Sequence, residues 1–431
     1  MRSRKSRVEI ARPVALGLAA AAVVLASSVG TGPVAQAGSG PVAFTVSGAG
    51  WGHGVGLSQF GARGMASEGY SAVQIVSHYF TGAQVGGYPD TGDLRVNIGH
   101  GLTSVWLRAK GLAVGGGNVE VTLGSMPAAL VPAGQELRLT ASGRRTVVHQ
   151  RVPGGKLRLV GSARVVVVRW AGTRAPGSAG SAPTYLQIGK GSRSYRTDAK
   201  YRWGLVDVAT VGGRLEVVNS VRIHDEYLNG VSEVPSSWPS AALQAQAIAA
   251  RSYALAHVAI RGACRCQSDD GFGGYYDQTF LGYARATQPL GGRWVSAVGA
   301  TATSPTAGRT LTYGGKPIAA FYFSSSGGRT QNSEDVWGSA LPYARSVDDH
   351  WSLNPAYNPV DSNWTVKVSG SRMAALFGLG NVVRVQVSAR DASGGVKSVT
   401  AVSASGRSKT IGGSQFAVGV GAKSLWIKSV A

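Results

Sequence analysis

Cysteine is almost missing from this sequence. There are two in 431 residues, Cys264 and Cys266, one residue apart. A disulfide framework needs more cysteines at wider spacings, so none is expected. A ring between such near neighbours would be strained, which leaves a local redox pair, two idle thiols, or a metal site completed by other ligands such as His257. Acidic residues are scarce too: 21 Asp and Glu face 43 Lys and Arg, a formal net charge of +22. Beyond the N-terminal region no segment is apolar for long enough to span a bilayer. No tandem repeat, zinc-finger spacing or RNA-binding aromatic motif occurs, so nucleic acid is not an expected partner. In "GVGLSQFG", Ser58 is followed by Gln59-Phe60-Gly61, which is not the G-x-S-x-G of a nucleophile elbow. The same glycine cluster lacks the spacing and the Lys-Ser/Thr of a phosphate loop, and no cofactor is expected.

What is present begins with an export signal. Arg2, Arg4, Lys5, Arg7 and Arg12 precede an apolar stretch from Val14 to Val29, and Ala35-Gln36-Ala37 has the small-residue spacing of a signal peptidase site. Cleavage after Ala37 would release a soluble, secreted or wall-associated chain of about +18 without a stable membrane span. A basic exported protein meets anionic wall polymers, lipid head groups or extracellular nucleic acid. The charges form no basic helix or tail, which favours wall polymer.

The expected architecture is α+β: antiparallel strands with a buried Ala-rich helix behind a catalytic loop, one large domain with a β-rich insertion. Residues 1–37 are read as signal peptide, 38–90 as a Gly-rich segment and helix, 91–200 as β-rich and 201–431 as the catalytic-type region. Ala62 to Tyr79 reads as one short helix. "LRVNI", "VEVTL", "LRLTA", "LRLV" and "ARVVVVRW" read as strands, as do "LVDVATV", "RLEVVNSVRI", "VVRVQVSA", "VKSVTAV" and "SLWIKSV". Gly172 to Pro183 is a loop by composition. Ala241 to Ile260 reads as a helix with Leu243, Ala247, Ala250 and Ala254 on one stripe, Pro239 in its first turn and Ser237 as cap. Small residues on that stripe predict another backbone packed tightly against it.

Glu233 stands in "VSEVPSSWPSAALQAQAIAARSYAL", just before that helix. An acid there can be a helix-start charge stabilised by the dipole. Alternatively, Val234, Pro235 and Trp238 form an apolar wall that raises its pKa for general-acid work. His53 and His78 read as structural. "FYFSSSGGRTQNSEDVWGSALPYARSVDDHW" gathers hydroxyls and amides with Trp337, Tyr343 and Trp351, a composition suited to sugars or to a well-bonded surface loop.

"HDEYLNGVSEVPSSWPSAALQAQAIAARSYAL" resembles the signature of the stage II sporulation protein D and amidase-enhancer family of bacterial wall proteins. "YYDQTF" and "SSSGGRTQNSEDVWG…LPYARSVDDHW" resemble two of its loops, and "GWGHGVGLSQFGARGMASEGYSAVQIVSHYFTG" is similar to another long motif. The likeness is weakest from Gly101 to Lys200. Enzymatic members are lytic transglycosylases that cut the MurNAc–GlcNAc bond of peptidoglycan and leave a 1,6-anhydro end. The resemblance implies that Glu233 is the catalytic acid, with Val234 where the family has Met. It implies supporting or substrate-binding roles for Gln246, Arg251, Tyr253, Asp277, Gln278, Ser325, Ser326 and Thr330. A hydrolase would need a second carboxylate, for which Asp225 and Glu226 are candidates. The partners implied are peptidoglycan glycan strands and, if the chain is a non-catalytic enhancer, a wall amidase. A third class, a metal- or cysteine-dependent hydrolase, would use Cys264, Cys266 and His257.

In most relatives the GHGVG motif follows a strand like "SLWIKSV"; here it stands near the start. That order implies a circular permutation. Pro41–Ser47 and Ser424–Val430 are then expected side by side, with the glycine turn emerging near Glu233.

Overall fold

A computed structural model describes residues 42–174, 180–193, 195, 199–256, 264–269 and 277–431. The export signal, His257, the last turn of the expected helix, Tyr275 and Tyr276 lie outside the described residues.

Alternating β-branched residues build two sheets whose inner faces share one core. The first has seven strands in the order Ser268–Asp269, Asp93–Leu102, Arg214–Arg222, Leu205–Val211, Val165–Trp170, Val119–Leu123 and Met126–Val131. Only its short edge strand Ser268–Asp269 runs parallel to its neighbour. The second has six, ordered Leu157–Ala163, Arg145–Arg151, Glu136–Ser142, Ser104–Gly111, Thr184–Lys190 and Lys200–Tyr201. Leu107, Leu139 and Ile188 of the six-stranded sheet and Val121, Val168 and Val208 of the other lie in that common core. The period-2 pattern that marks a sheet with one wet face is what places them there.

The central helix, Ser240–Ala256, belongs to two cores at once. Leu243, Ala247, Ala250 and Ala254 pack on the core of the sandwich, while Ala245, Ile248 and Ala249 pack on a second core. That second core includes Ile75, Val76, Phe80, Leu311 and Ala320. Burial on both sides explains why the helix is rich in alanine: neighbouring elements approach too closely for longer side chains. Its start differs from expectation. The helix begins at Ser240, Pro239 stands just before it, and the Pro239 carbonyl accepts from Leu243 N at 3.1 Å. Ser237 is therefore not the cap; its carbonyl accepts from Arg293 Nη1 instead.

The single helix expected over Ala62–Tyr79 is two, Gln59–Ser67 and Ala72–Tyr79. Ser58 caps the first, and Gly69 turns the chain at φ +93°. Ser71 and Gln74 then form a reciprocal capping box that starts the second.

A third core lies under Trp364–Ser369, Ala43–Gly48 and Ile427–Val430, which form one antiparallel sheet in that order. The two segments expected side by side are neighbours: Val46 pairs with Val430, and Thr45 and Ala431 exchange backbone hydrogen bonds at 2.6 and 2.9 Å. From Gly48 the chain runs as the Gly-rich stretch along Phe321–Ser326, where Trp51 bridges Ser325 and Leu57–Ser58 pairs in parallel with Tyr322–Phe323. Gly56 has φ +83°, and a Cβ on it would lie 2.2 Å from the Phe321 carbonyl oxygen. Only glycine permits this approach, and the approach positions Tyr322.

Candidate active site

Glu233 sits in the short segment joining the turn Leu228–Gly230 to the central helix. That segment is clamped to residues 279–281: Ser232 N donates to Thr279 O at 2.8 Å and Leu281 N to Gly230 O at 2.8 Å. The clamp aims Thr279 N at Glu233 Oε1, at 2.6 Å. The Thr279 and Tyr322 hydroxyls and the Arg285 charge also act on the carboxyl, all favouring its ionised form. Burial nevertheless dominates and raises the Glu233 pKa above the usual carboxylate value. A carboxyl in this position keeps its proton to higher pH than a free Glu. The same group has hydrogen-bond donors in place for its ionised form, so it can give up a proton and take one back. Val234 and Trp238 are buried in the sandwich core and Pro235 is exposed, so the desolvated site is framed by Thr279, Tyr322 and Arg285 rather than by the expected apolar trio.

Several expected residues converge here. Gln278 is buried and holds the site's frame: its Oε1 accepts from Tyr227 OH at 2.8 Å, while its Nε2 reaches Tyr322 OH at 3.1 Å and Ala250 O at 3.3 Å. Tyr253 OH donates to Asp277 Oδ1 at 3.4 Å. Gln246, also buried, accepts from Gln59 Nε2, which reaches the Glu233 carbonyl as well.

Others are placed elsewhere. Arg251 is fully buried and bonds Asp90 Oδ2 (2.7 Å), Thr301 Oγ1 (2.9 Å) and Arg309 O (3.1 Å). It joins the helix to the strand Ala307–Tyr313 and offers no surface to a substrate. Ser325, Ser326 and Thr330 are fully buried too. An irregular loop inside a protein must bond its own polar groups, and these hydroxyls are drawn into that task. Ser326 Oγ and Ser352 Oγ both donate to Asp349 Oδ2 at 2.5 Å, Tyr79 OH donates to Oδ1 at 2.6 Å, and Val347 N donates to Thr330 Oγ1 at 2.9 Å. The sugar-suited loop is therefore largely a folding knot, and Trp351 is buried with it. Asp225 and Glu226 are engaged as well, with Arg222 and with Arg174 respectively.

The rings that gather beside Tyr322 come from four segments of the chain. Tyr253 lies edge-on to Phe321 at 6.0 Å, Trp337 lies 4.6 Å from Phe321, and His53 lies 5.2 Å from Trp337. The glycine turn that bears His53 thus emerges at this site, as expected. Burial pushes His53 down to about 4, so it is neutral at physiological pH, in keeping with a structural role. Thr279, Tyr322, Arg285 and Gln59 were not singled out as site residues in the sequence. Two of them had a visible signal: Thr279 follows the Asp-Gln pair, and Tyr322 precedes the serine run.

Cys264 and Cys266 are joined, which fits the local redox pair among the alternatives and not two idle thiols. Arg265 adopts φ +53° and turns the chain, so the two Cα atoms lie 5.3 Å apart, within disulfide reach. Bonded sulfurs supply neither a thiolate nucleophile nor metal ligands, which weighs against the cysteine-dependent reading.

Glu233 is thus a desolvated carboxyl of raised pKa with donors placed for its ionised form. Residues 211–313 match the family model described as Stage II sporulation protein. Over 144 residues the chain is 37% identical to stage II sporulation protein D of Bacillus amyloliquefaciens, covering 31% of this chain and 40% of that protein. The Bacillus subtilis protein of the same name is 34% identical over an equal length. The amidase enhancer of Bacillus subtilis is 29% identical over 171 residues, 36% of this chain and 22% of the enhancer. Residues 211–313 are thus similar to the stage II sporulation protein family, and the chain shares a partial likeness with the amidase enhancer. The chain spans about two fifths of the sporulation proteins it matches, and no solved structure matches it.

Proposed function

We propose that the protein is an exported, peptidoglycan-binding lytic transglycosylase in which Glu233 is the single catalytic carboxyl. The observation that carries this reading is the raised pKa of Glu233 beside donors that suit its ionised form. In the protonated state it would hand its proton to the glycosidic oxygen as the oxocarbenium-like state develops. The bond from C1 to that oxygen breaks, and the carboxylate left behind is held by Thr279 N and the Tyr322 hydroxyl. It then takes the proton of the C6 hydroxyl as that oxygen closes on C1, which regenerates the acid and leaves a 1,6-anhydro end without water. Gln278 keeps Tyr322 in place, and Tyr253, Phe321 and Trp337 offer ring faces to the C–H surfaces of sugars. The nearby acids Asp225 and Glu226 are paired with arginines, which weighs against a second carboxylate activating water. The motif order and the pairing of Ala43–Gly48 with Ile427–Val430 fit a circularly permuted domain.

The test is digestion of purified peptidoglycan by the purified protein and by Glu233→Gln. Release of anhydro-muramyl products by the wild type and not by the variant supports the proposal; equal release by both defeats it. A second reading, a non-catalytic binder that stimulates a wall amidase, rests on the likeness to the amidase enhancer. It predicts no glycan products from the protein alone and a faster amidase in its presence.

A further inference from the structure

The charge of this chain is not spread evenly. Residues 103–204 hold 16 Lys and Arg against three acids, so this 102-residue stretch carries +13 of the total +22. It contains all six strands of the six-stranded sheet, whose inner face is apolar and core-bound. The pleat therefore sends the alternate residues of the same strands to the opposite face. On that face the register sets Arg138 opposite Trp106 and Glu136 opposite Arg108.

The aromatic rings there hold cations. Arg138 and Arg193 lie 5.8 and 5.5 Å from the Trp106 ring, and Arg108 lies 4.0 Å from the Tyr195 ring. A guanidinium stacked on a ring has its position fixed while N–H groups at its edge remain able to donate, the geometry that suits phosphate oxygens. Among the described residues Glu136 is the only carboxylate within this cluster, and it is already shared by Arg151 and Arg193 and by the Tyr195 hydroxyl. Among the described residues no ion pair joins Arg108 or Arg138 to a carboxylate; Arg108, opposite Glu136 in the register, donates from Nε to Gln187 Oε1 at 3.0 Å, and Arg138 Nε is buried. Along a strand such positions repeat about every 6.7 Å, and across strands about every 4.8 Å. That lattice suits a chain with one anion per repeat better than a single compact ion. Nucleic acid would need free ring faces for its bases to stack on, and here the rings are taken by guanidinium groups.

The geometry points to this outer sheet face as a binding surface for a phosphodiester wall polymer, with Arg108, Arg138 and Arg193 as its central contacts. The surface continues toward the candidate active site. Lys200 lies over Tyr185 and Arg202 over Tyr283, and Tyr283 opens the helix Tyr283–Thr287 that carries Arg285 beside Glu233. The two sites would thus engage neighbouring polymers of one wall. The inference does not depend on the chemistry of Glu233, because its readout is binding.

The experiment is a titration of the full chain with purified poly(glycerol phosphate) at several salt concentrations, with single-stranded DNA of equal charge as the comparison. The expected result is tighter binding to the glycerol phosphate polymer than to DNA. A combined Arg108→Gln, Arg138→Gln, Arg193→Gln variant should bind at least about tenfold more weakly, and its slope of log K against log salt should fall by about three. Should that variant melt early, Arg193→Gln alone, whose side chain is 48% exposed, should lower the slope by about one. Variants that bind with the wild-type affinity and slope would overturn the proposal. DNA binding as tight as that of the polymer would overturn it too, in favour of a nucleic-acid surface.

Discussion

Arginine is used in opposite ways by two regions of this molecule. Around the central helix, Arg251 is fully buried and paired with Asp90, whose other oxygen meets His224 at 2.6 Å. On the outer face of the six-stranded sheet, Arg108 and Arg138 stack on rings and form no ion pair with a carboxylate among the described residues. In the first region the charged groups Arg251, Asp90 and His224 are bonded to one another inside the fold, and the carboxyl whose pKa burial raises is Glu233. In the second the polar groups are left facing outward. A basic total charge therefore says little about where an anion binds. A guanidinium matched to a buried acid holds the fold, and one resting on an aromatic ring is free to hold something else.

The largest effect should come from the first region. Glu233→Gln removes the proton donor and should lower product release by roughly 100- to 10,000-fold, with a melting temperature no lower than that of the wild type. The folded state favours the protonated form, so Glu233 contributes stability at low pH that is lost as pH rises through its raised pKa; Gln removes that liability. Next, Asp90→Ala leaves Arg251 buried without its charge partner and should cost about 3–5 kcal/mol in urea unfolding. Ala247→Leu forces a larger side chain between helix and sheets and should cost about 1–3 kcal/mol. Tyr322→Phe removes a donor that favours ionised Glu233, so the alkaline limb of the activity profile should move to higher pH; an unmoved limb would detach Tyr322 from the site. The smallest effect belongs to the sheet's wet face. Leu159→Ser, at a side chain 62% exposed, should change stability by no more than about 0.5 kcal/mol. A large loss there, or none at Asp90, would erase the contrast between the two regions.

Much of the secondary structure was legible because period-2 alternation is written directly in the strands: "LVDVATV" and "VKSVTAV" are strands from end to end. The central helix was legible from its alanine stripe, although its burial on two sides was not. The α+β class also followed from pattern, while the neighbouring of the first and last described strands was implied by the motif order of the family resemblance. What could not be read was which polar residues face inward. Ser326 and Thr330 have the composition of a sugar site, yet Asp349 and the loop backbone take their hydrogen bonds. Arg251 looked like a functional cation, and only the position of Asp90, 161 residues earlier in the chain, makes it structural. Tyr322 and Arg285 reach Glu233 through tertiary contacts that no local spacing records. The break at Gly69 was visible as Ser71-x-x-Gln74, a capping signal overridden in the reading by the helical run around it.

The central claim is that one carboxyl, Glu233, cleaves the glycan bond without water. The most direct measurement is the mass spectrum of the products released from purified peptidoglycan in water enriched in heavy oxygen. The account predicts anhydro-muramyl ends that carry no heavy oxygen, made by the wild type and lost with Glu233→Gln. Reducing ends that have gained one heavy oxygen would contradict it, because water would then have attacked C1.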